Sequence, residues 1–389
     1  MVKILLFSPL ALEYGRGGEL SLIELASGLK KFHNIEIIDT NRILGQKNLS
    51  LQSITKKLGD IKRDRLKFAS INFNNKNISF PYPLDVLRLY KKIKKTDIVY
   101  FSTGNIKVIL IFLLYRFLNS RIKFIIGHRL PLSSEKRISL YNMRILISLK
   151  ILSKFKKRLY HHTISYHAKK YLENFFPKER ITHILHCIDL KNYKESFIER
   201  NRDETLRFIY VGSLDNPHKG FGFLLKALKE LFEKNSNLNV IFEFCGQGPL
   251  KAEIKNLENQ FPKSIKFHGY ISNDKIADYY KENHVFIFTS IREPFGRVII
   301  EALAAGLLII CNKTIGSVEI LKGKDFAFFL DNLKPQEINE KIIKLYNLWG
   351  QNPVKFRDLQ KKARNYAFKE YAFSNELRDF NELIKRVIK

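Results

Sequence analysis

From Leu206 onward the chain alternates short apolar runs, rich in β-branched and aromatic residues, with segments of helical period. Six runs are predicted strands: LRFIYVG, NVIFEFCG, SIKFHGY, VFIFTS, LLIICN and FAFFL. Because these runs are apolar on both faces and helical segments separate them, they indicate a parallel sheet that is covered on both sides. The second half of the chain is therefore predicted to be a doubly wound, Rossmann-like α/β domain.

The first half repeats this alternation more loosely, with VKILLFS, IEIID, DIVYFS, KFIIG, HTIS and THILH as predicted strands. Residues 46–79 are polar and rich in Asn and Lys, and we interpret them as a long insertion or mobile loop. A polar segment near residue 195 separates the halves, so we expect domains over residues 1–195 and 196–370. Open parallel sheets bind ligands at the carboxyl ends of their strands, so two facing sheets predict a cleft between the domains.

Charge and cysteine content limit the partners and the compartment. The 389 residues carry 68 Lys+Arg and 38 Asp+Glu, a net charge of +30. An anionic partner is expected, which leaves nucleic acid, membrane headgroups or a phosphorylated ligand. Three widely spaced cysteines favour neither a disulfide framework nor a zinc site, and fit a reducing cytosol. The first residues are interpreted as a buried strand rather than a secretory signal, and the apolar run 108–118 is too short to span a bilayer.

The strongest local motif, REPFGRVIIEALAAG at residues 292–306, directly follows the predicted strand VFIFTS. Pro294 and Gly296 end that strand, so a helix is expected to begin near Gly296 with backbone N–H groups that suit a phosphate. Glu293 precedes the helix start, and Glu301 lies inside the helix. Two carboxylates around a phosphate-binding helix start suit the sugar and ribose hydroxyls of a nucleotide sugar. A loop Glu followed by a solvated helical Glu is the alternative.

Three further positions point to the same cleft. Lys219 follows the strand FIYVGSLD and precedes a helix, where its ammonium can bind a diphosphate. The glycine-rich turn at residues 15–19 opens a helix after the first strand and can meet a phosphate from the opposite domain. His128 ends the strand KFIIG, where we expect it to be exposed to the cleft and to bond a sugar hydroxyl or a departing phosphate. Each of these, taken alone, is also an ordinary surface feature.

No metal and no organic cofactor are expected. The histidines have no H-E-x-x-H or comparable ligand spacing, and no Asp-x-Asp triplet is present to hold a divalent cation. The glycine-rich turn is not G-x-G-x-x-G, which argues against a nicotinamide dinucleotide. Lys219 and helix N-termini are expected to neutralise a leaving diphosphate instead.

Taken together, these residues resemble the retaining glycosyltransferases of family 4, also called group 1, whose GT-B fold has two Rossmann-like domains facing across a cleft. The resemblance covers most of the chain, and its most specific part is the E-x7-E element from Glu293 to Glu301. Next in specificity are the VGSL…KG…LL run and the CGQGP loop. Weaker matches are Gly17-Gly18, Gly127-His128, the CID segment at 187–189 and YAFS at 371–374. The last match implies that a C-terminal helix, residues 371–389, packs on the first domain.

The resemblance implies a role for each matching residue. Three residues would be catalytic: Glu293 at the donor-sugar hydroxyls, His128 near the reacting centre and Lys219 at the diphosphate. Glu301 would bind the ribose, and the backbone of residues 246–248 and 271 the base. The implied donor-binding set is Gly18, Gly212, Ser213, Lys219, Gly246, Gly248, Ile271, Glu293, Phe295, Gly296, Arg297, Val298 and Glu301. Ser213 departs from the family, which commonly has an arginine there as a second diphosphate ligand. Two alternatives follow: compensation by His218, Arg292 or Arg297, or weaker binding of the diphosphate.

The implied reaction transfers a hexosyl group from a nucleotide-diphosphate sugar to an acceptor hydroxyl, with retention of configuration and without a metal. The acceptor is expected to be a lipid-linked or cell-surface glycan precursor. A nucleotide-sugar 2-epimerase of the same fold is an alternative, although the extra acid/base carboxylates that it needs are not recognisable. A basic nucleic-acid-binding protein is the alternative from another class. The sequence has no RNP or zinc-finger element, so nucleic acid is not expected as a partner.

Most of the excess charge lies in the first half of the chain. Residues 1–200 hold 38 Lys+Arg and 15 Asp+Glu, a net +23, whereas residues 201–389 hold 30 and 23, a net +7. In residues 148–160, bases are interleaved with Ile, Leu and Phe at helical spacing, which suits a helix on an anionic bilayer. A solvated basic face over core residues is the alternative. We expect a cytoplasmic protein that is peripheral on the membrane.

Overall fold

The computed structural model describes residues 1–14, 17–41, 49–73, 76–102, 121–129, 140–154, 159–194, 205–215, 218–235 and 237–389. Its contacts divide the chain into two compact units, Met1–His186 with Glu376–Lys389, and Cys187–Asn375. Each unit is built on a parallel sheet, of seven strands in the first and six in the second. The predicted class, two Rossmann-like α/β domains, is confirmed.

The described residues of the first unit contain nine strands: β1 Lys3–Phe7, β2 Asn34–Thr40, β3 Lys62–Leu66, β4 Phe68–Phe73, β5 Lys76–Pro81, β6 Ile98–Phe101, β7 Lys123–His128, β8 Leu159–Thr163 and β9 Ile181–His183. Its described helices are α1 Gly17–Leu29, α2 Leu51–Leu58, α3 Pro83–Ile93, α4 Leu140–Ser153 and α5 Tyr166–Leu172. The sheet order is β3-β2-β1-β6-β7-β8-β9, and β4 and β5 form a separate antiparallel hairpin.

Alternate residues of the central strand β1 enter two different cores. Leu5 and Phe7 pack into one hydrophobic cluster, with residues of α3, α4 and α5. Ile4 and Leu6 pack into the other, with residues of α1 and α2. Helices therefore cover both faces of the sheet, as the two-sided apolar runs predict.

The interpretation of residues 46–79 as a long insertion or mobile loop was wrong. Most of this segment forms α2, the edge strand β3 and the β4–β5 hairpin. Strand β3 (KRDRL) has no apolar alternation, because it lies at the sheet edge and its arginines pair with buried acids. Arg63 and Arg65 both contact Glu13 and Asp39, which are almost fully buried.

The second unit contains six strands, β10 Leu206–Val211, β11 Val240–Cys245, β12 Ile265–Gly269, β13 Val285–Phe288, β14 Leu308–Asn312 and β15 Ala327–Leu330. They coincide with the six predicted runs and pair in parallel in the order β12-β11-β10-β13-β14-β15. The described helices of this unit are α6 Lys191–Lys194, α7 Phe221–Lys234, α8 Lys251–Gln260, α9 Ile276–Lys281, α10 Arg297–Ala304, α11 Ile315–Leu321, α12 Pro335–Gln351 and α13 Pro353–Glu370.

The last helix, α14 Phe373–Ile388, returns the chain to the first unit. Four of its residues pack into the hydrophobic cluster that contains residues of α1 and α2: Phe380, Leu383, Ile384 and Val387. None of the helices in the described ranges is long and apolar enough to cross a membrane. The sequence predicts that the apolar run 108–118 is too short to span a bilayer, and this run lies outside the described ranges.

Candidate active site

The second unit has a switch point between β10 and β13. The chain runs outward from β10 to β11 and β12 on one side, and from β13 to β14 and β15 on the other. The loops that follow β10 and β13 therefore diverge from neighbouring strands, and an open α/β sheet binds its ligand at such a point. Two hydrogen bonds join these loops: Ile291 N donates to His218 O (2.8 Å), and Thr289 Oγ1 donates to Lys219 O (2.9 Å).

An ion pair at this point joins two residues that the motifs predict. Lys219 Nζ lies 2.7 Å from Glu293 Oε2, and the two side chains are 28% and 19% exposed. The backbone N–H of Lys219 donates to Asp215 Oδ1 at 3.1 Å, which fixes the start of the Lys219 turn. A cation and a carboxylate thus lie side by side, both accessible to a ligand.

The predicted helix start at Gly296 is present. Gly296 has φ of +96° and precedes α10, which begins at Arg297. A side chain at Gly296 would be strained by this φ, so glycine allows the turn that brings Glu293 next to the helix start. The backbone of the same turn is fixed from α11, because Gly316 N donates to Glu293 O at 3.1 Å. Phe295 is buried, and a Cβ at Gly316 would lie 2.1 Å from its carbonyl oxygen.

Glu301 lies in a polar group on α10. Arg297 Nε donates to its Oε1 (3.2 Å), and the Tyr280 hydroxyl donates to its Oε2 (3.4 Å). Burial and the nearby Glu301 charge raise the pKa of Tyr193 well above its ordinary value, so this phenol stays protonated. Val298 is half-buried on the same helix. The carboxylate of Glu301 is therefore held by neighbours and is only 15% exposed.

The predicted glycines of the neighbouring loops allow a close approach of backbone to backbone. A Cβ at Gly246 would lie 1.8 Å from Gly212 O, and a Cβ at Gly248 would lie 2.3 Å from Leu214 O. Gly246 N also donates to Gly269 O at 2.7 Å, two residues before the half-buried Ile271. The loops after β10, β11 and β12 thus pack together at the carboxyl end of the sheet.

Ser213 is fixed by its own loop. Its hydroxyl donates to Asp215 Oδ2 at 2.9 Å, and its carbonyl accepts from the Tyr210 hydroxyl at 2.8 Å. Asp215 therefore contacts both Ser213 and Lys219. The motif comparison did not identify Asp215, although its place in VGSLD, just before the Lys219 turn, is the signal that could have done so.

In the first unit, the expectation that His128 is exposed was wrong. The side chain is 5% exposed, and its Nε2 lies 2.9 Å from His161 Nδ1 on the neighbouring strand β8. Burial lowers the pKa of His128 to about 3, so the imidazole is neutral. The physical reason is that β7 lies between β6 and β8, which leaves the last side chain of the strand inside the unit. Gly18 is exposed in the first turn of α1, and residues 15–16 of that turn lie outside the described ranges.

The structure brings together Lys219 with Glu293, Arg297 with Glu301, and Gly212 with Gly246. Gly18 and His128 belong to the first unit. The sequence motifs did not identify Tyr280, Tyr193 or Gly316, because apolar and small residues at helical spacing carry no separate signal. In the described part of the chain, no group of three or more His, Cys, Asp or Glu side chains could hold a metal ion.

Part of the chain matches the model of a known protein family. Residues 192–370, which include nearly the whole second unit, match the family model for glycosyl transferases group 1. An uncharacterized glycosyltransferase of Methanocaldococcus jannaschii is 25% identical over 177 residues, 45% of this chain and 43% of that protein. The 2-deoxystreptamine N-acetyl-D-glucosaminyltransferase of Niallia circulans is 30% identical over 158 residues, 38% of each. The chain thus matches less than half the length of these two relatives.

Among solved structures, Anabaena HepE in complex with UDP and glucose is similar to the whole chain. The TM-score is 0.73 and the identity 18%, over 99% of this chain and 100% of that one. At this identity the similarity establishes a shared fold, and the fold of the chain is GT-B.

Proposed function

We propose that this chain, whose residues 192–370 match the group 1 glycosyl transferase model, transfers a sugar from a nucleotide-diphosphate sugar to an acceptor hydroxyl. The ion pair of Lys219 with Glu293 carries the proposal, because it puts a cation for a diphosphate next to a carboxylate for sugar hydroxyls. Both lie on the loops of the β10/β13 switch point, where ligands of open α/β sheets bind.

Each residue of this site would bind a different part of the donor. Lys219 would exchange its bond to Glu293 for the diphosphate, which releases the Glu293 carboxylate for the hydroxyls of the sugar. The N–H groups of the first turn of α10 add a partial positive charge at the phosphates. Glu301, oriented by Arg297 and Tyr280, would accept from the ribose hydroxyls.

The finer features of the reaction are part of the proposal. Transfer is retaining and of a hexosyl group, as in family 4, and the leaving phosphate takes the acceptor proton, so no enzymic nucleophile is assigned. Lys219 and the α10 N-terminus neutralise the leaving diphosphate in place of a metal. Two relatives support the donor class: the name of the Niallia protein is that of an N-acetyl-D-glucosaminyltransferase, and HepE binds UDP and glucose.

Ligand-induced thermal shifts test the donor class directly. Wild-type protein is heated with UDP-glucose, UDP-GlcNAc or GDP-mannose, with and without EDTA. We expect one of the three to raise the Tm progressively as its concentration exceeds its Kd, and EDTA to leave that shift unchanged. Product analysis with the stabilising donor then follows release of its nucleoside diphosphate and the configuration of the transferred sugar. No stabilisation by any of the three and no donor consumption would contradict the proposal.

We further propose that the acceptor is lipid-linked and that the first unit binds an anionic membrane surface. Helices α3 and α4 pack on the same face of the sheet, and each exposes two large apolar residues: Leu84 and Leu87 on α3, and Met143 and Ile147 on α4. Bases follow on the same helical faces, Arg88 with Lys91 and Lys150 with Lys154. Apolar residues flanked by bases suit an anionic bilayer surface. Lys156, Lys157 and Arg158 of the predicted basic helix lie outside the described ranges.

A further inference from the structure

A buried polar cluster lies in the first unit below the start of α1. Its centre is Arg129, the residue that follows β7, and its other members come from four separate segments of the chain. Tyr100 lies on β6, and Glu19 lies in the first turn of α1. The unit consists of two chain segments: His186 ends the first, and Glu376 begins the second. These four residues around Arg129 are almost fully buried.

Arg129 contacts α1 directly. Its Nη1 donates to the carbonyl oxygen of Gly18 at 3.3 Å, in the first turn of the helix. Burial lowers the pKa of the guanidinium, but Tyr100, Glu376 and Glu19 outweigh it and raise the pKa above its ordinary value. Arg129 is therefore a permanent cation, which its acidic neighbours hold beneath this turn.

The acidic partner from α14 is itself fixed. Glu376 is 2% exposed, and its Oε2 lies 3.5 Å from His186 Nδ1. The same His186 nitrogen lies 3.4 Å from Ser21 Oγ, which is on α1. Glu376 thus contacts α1 through His186 and attracts Arg129, so the returning helix and the start of α1 share one polar group.

The first turn above this cluster is open. Gly17 and Gly18 are exposed, and no atom of the described residues lies within 4 Å of the place where a Cβ would stand on either. The backbone N–H groups of a helix's first turn are directed away from the helix and suit an anion. Small displacements of this turn would change the distance from those groups to a bound phosphate.

From these contacts we infer that Arg129 is a positioning residue for the donor diphosphate: with Glu376 it fixes the first turn of α1, and it acts through Gly18 rather than by touching the donor. The inference rests on the proposed function and on the expectation from the sequence motifs that Gly18 receives a phosphate of the donor. It goes beyond that function in assigning a role to Arg129, Glu376 and His186.

The test measures nucleoside diphosphate affinity and thermal stability on the same variants. Wild type, Arg129→Ala, Arg129→Lys and Glu376→Gln are titrated calorimetrically with UDP, or with GDP if GDP-mannose is the donor that stabilises the wild type. We expect Arg129→Ala to raise the Kd about tenfold, which corresponds to about 1.4 kcal/mol. Arg129→Lys should recover part of this loss, because its ammonium can still donate to Gly18 O. Glu376→Gln should fall between Arg129→Lys and the wild type.

Arg180→Ala is the matched control in the same unit. The Arg180 guanidinium lies 4.5 Å from the centre of the Tyr160 ring on β8, so its removal lowers stability without a change at Gly18. We expect the Kd of Arg180→Ala to equal that of the wild type at a comparable loss of Tm. Equal Kd for Arg129→Ala and Arg180→Ala would overturn the inference, and if Arg129→Ala does not fold, a wild-type Kd for Glu376→Gln would do so. Failure of the wild type to bind any nucleotide would instead contradict the proposed function.

Discussion

The Lys219–Glu293 pair is weak enough to be exchanged for a ligand. Both side chains are partly exposed, and such ion pairs stabilise a protein by about 1 kcal/mol or less. A diphosphate offers Lys219 more negative charge and stronger charge-assisted hydrogen bonds than one carboxylate does. The pair therefore orients both side chains before binding and can be broken at a small free-energy cost.

This argument predicts separate effects on affinity and stability for Lys219→Ala. The Kd for the nucleoside diphosphate should rise roughly tenfold to a hundredfold, about 1.4–2.8 kcal/mol, while the Tm changes by only a few degrees. Lys229→Ala is the control, because Lys229 forms an exposed ion pair with Glu233 in the same unit. Calorimetric titration of both variants checks the prediction. A normal Kd for Lys219→Ala would remove Lys219 from the diphosphate site.

Gly248 makes a second prediction for a single residue. A Cβ at this position would lie 2.3 Å from Leu214 O and 2.6 Å from Leu214 C, atoms of a backbone that cannot move away alone. We expect Gly248→Ala to lower the free energy of unfolding by about 1–3 kcal/mol. The control is Gly350→Ala near the end of α12, where nothing lies within 4 Å of the new Cβ, so stability should stay equal or rise. Urea unfolding of both variants measures the difference, and equal stabilities would contradict the steric argument.

Single residues also show the limit of inference from sequence. The motifs identify Lys219 and Glu293 separately, but 74 residues separate them, and only the sheet order brings them into contact. The burial of His128 could not be predicted from the sequence. Whether the last side chain of a strand is exposed to a ligand or buried depends on which strands lie on either side of it. Its neighbours β6 and β8 are assigned only once the strands are paired.

At the level of elements, periodicity predicts strands that carry apolar residues and misses a strand whose residues are mostly charged. All six strands of the second unit were predicted, the edge strands β12 and β15 included, because each carries buried or half-buried apolar residues. Strand β3 was missed because its sequence, KRDRL, has one buried apolar residue, Leu66. Its place is fixed by pairing with β2 and by ion pairs with Glu13 and Asp39, contacts that are distant in sequence.

The buried carboxylate of Glu243 contacts side chains of both neighbouring strands. Glu243 on β11 is 3% exposed, with its Oε1 3.1 Å from Arg207 Nη1 on β10 and its Oε2 2.9 Å from His268 Nε2 on β12. Burial raises the pKa of Glu243, but the hydrogen bond from His268 and the charge of Arg207 outweigh this, so the pKa is lowered. A carboxylate with a lowered pKa stabilises the fold above its unfolded-state pKa of about 4.3, and this contribution is lost as the pH falls through the folded-state value.

We therefore predict a pH-dependent effect of Glu243→Gln. At pH 7 the variant should lose about 1–3 kcal/mol of unfolding free energy, because Arg207 keeps its charge and loses its partner. The difference from the wild type should shrink as the pH falls below about 4 and through the lowered pKa of the folded state, where the wild-type carboxyl also becomes neutral. Glu233→Gln, on an exposed helical pair, should differ little from the wild type at any pH. Unfolding curves at several pH values measure this, and a constant loss for Glu243→Gln would contradict it.

For the whole molecule, the uneven charge distribution predicts selective binding to anionic membranes. The first 200 residues carry +23 of the total +30, and two helices of the first unit expose apolar residues next to bases. Wild type should sediment with vesicles of phosphatidylcholine and phosphatidylglycerol, less so at high salt and little with phosphatidylcholine alone. Leu84→Ser with Leu87→Ser, and Lys150→Glu with Lys154→Glu, should each reduce binding severalfold. Val354→Ser, which changes a 63% exposed residue of the second unit, should not. Equal sedimentation of all variants, or equal binding to neutral vesicles, would show that the basic apolar faces of α3 and α4 do not contact the membrane.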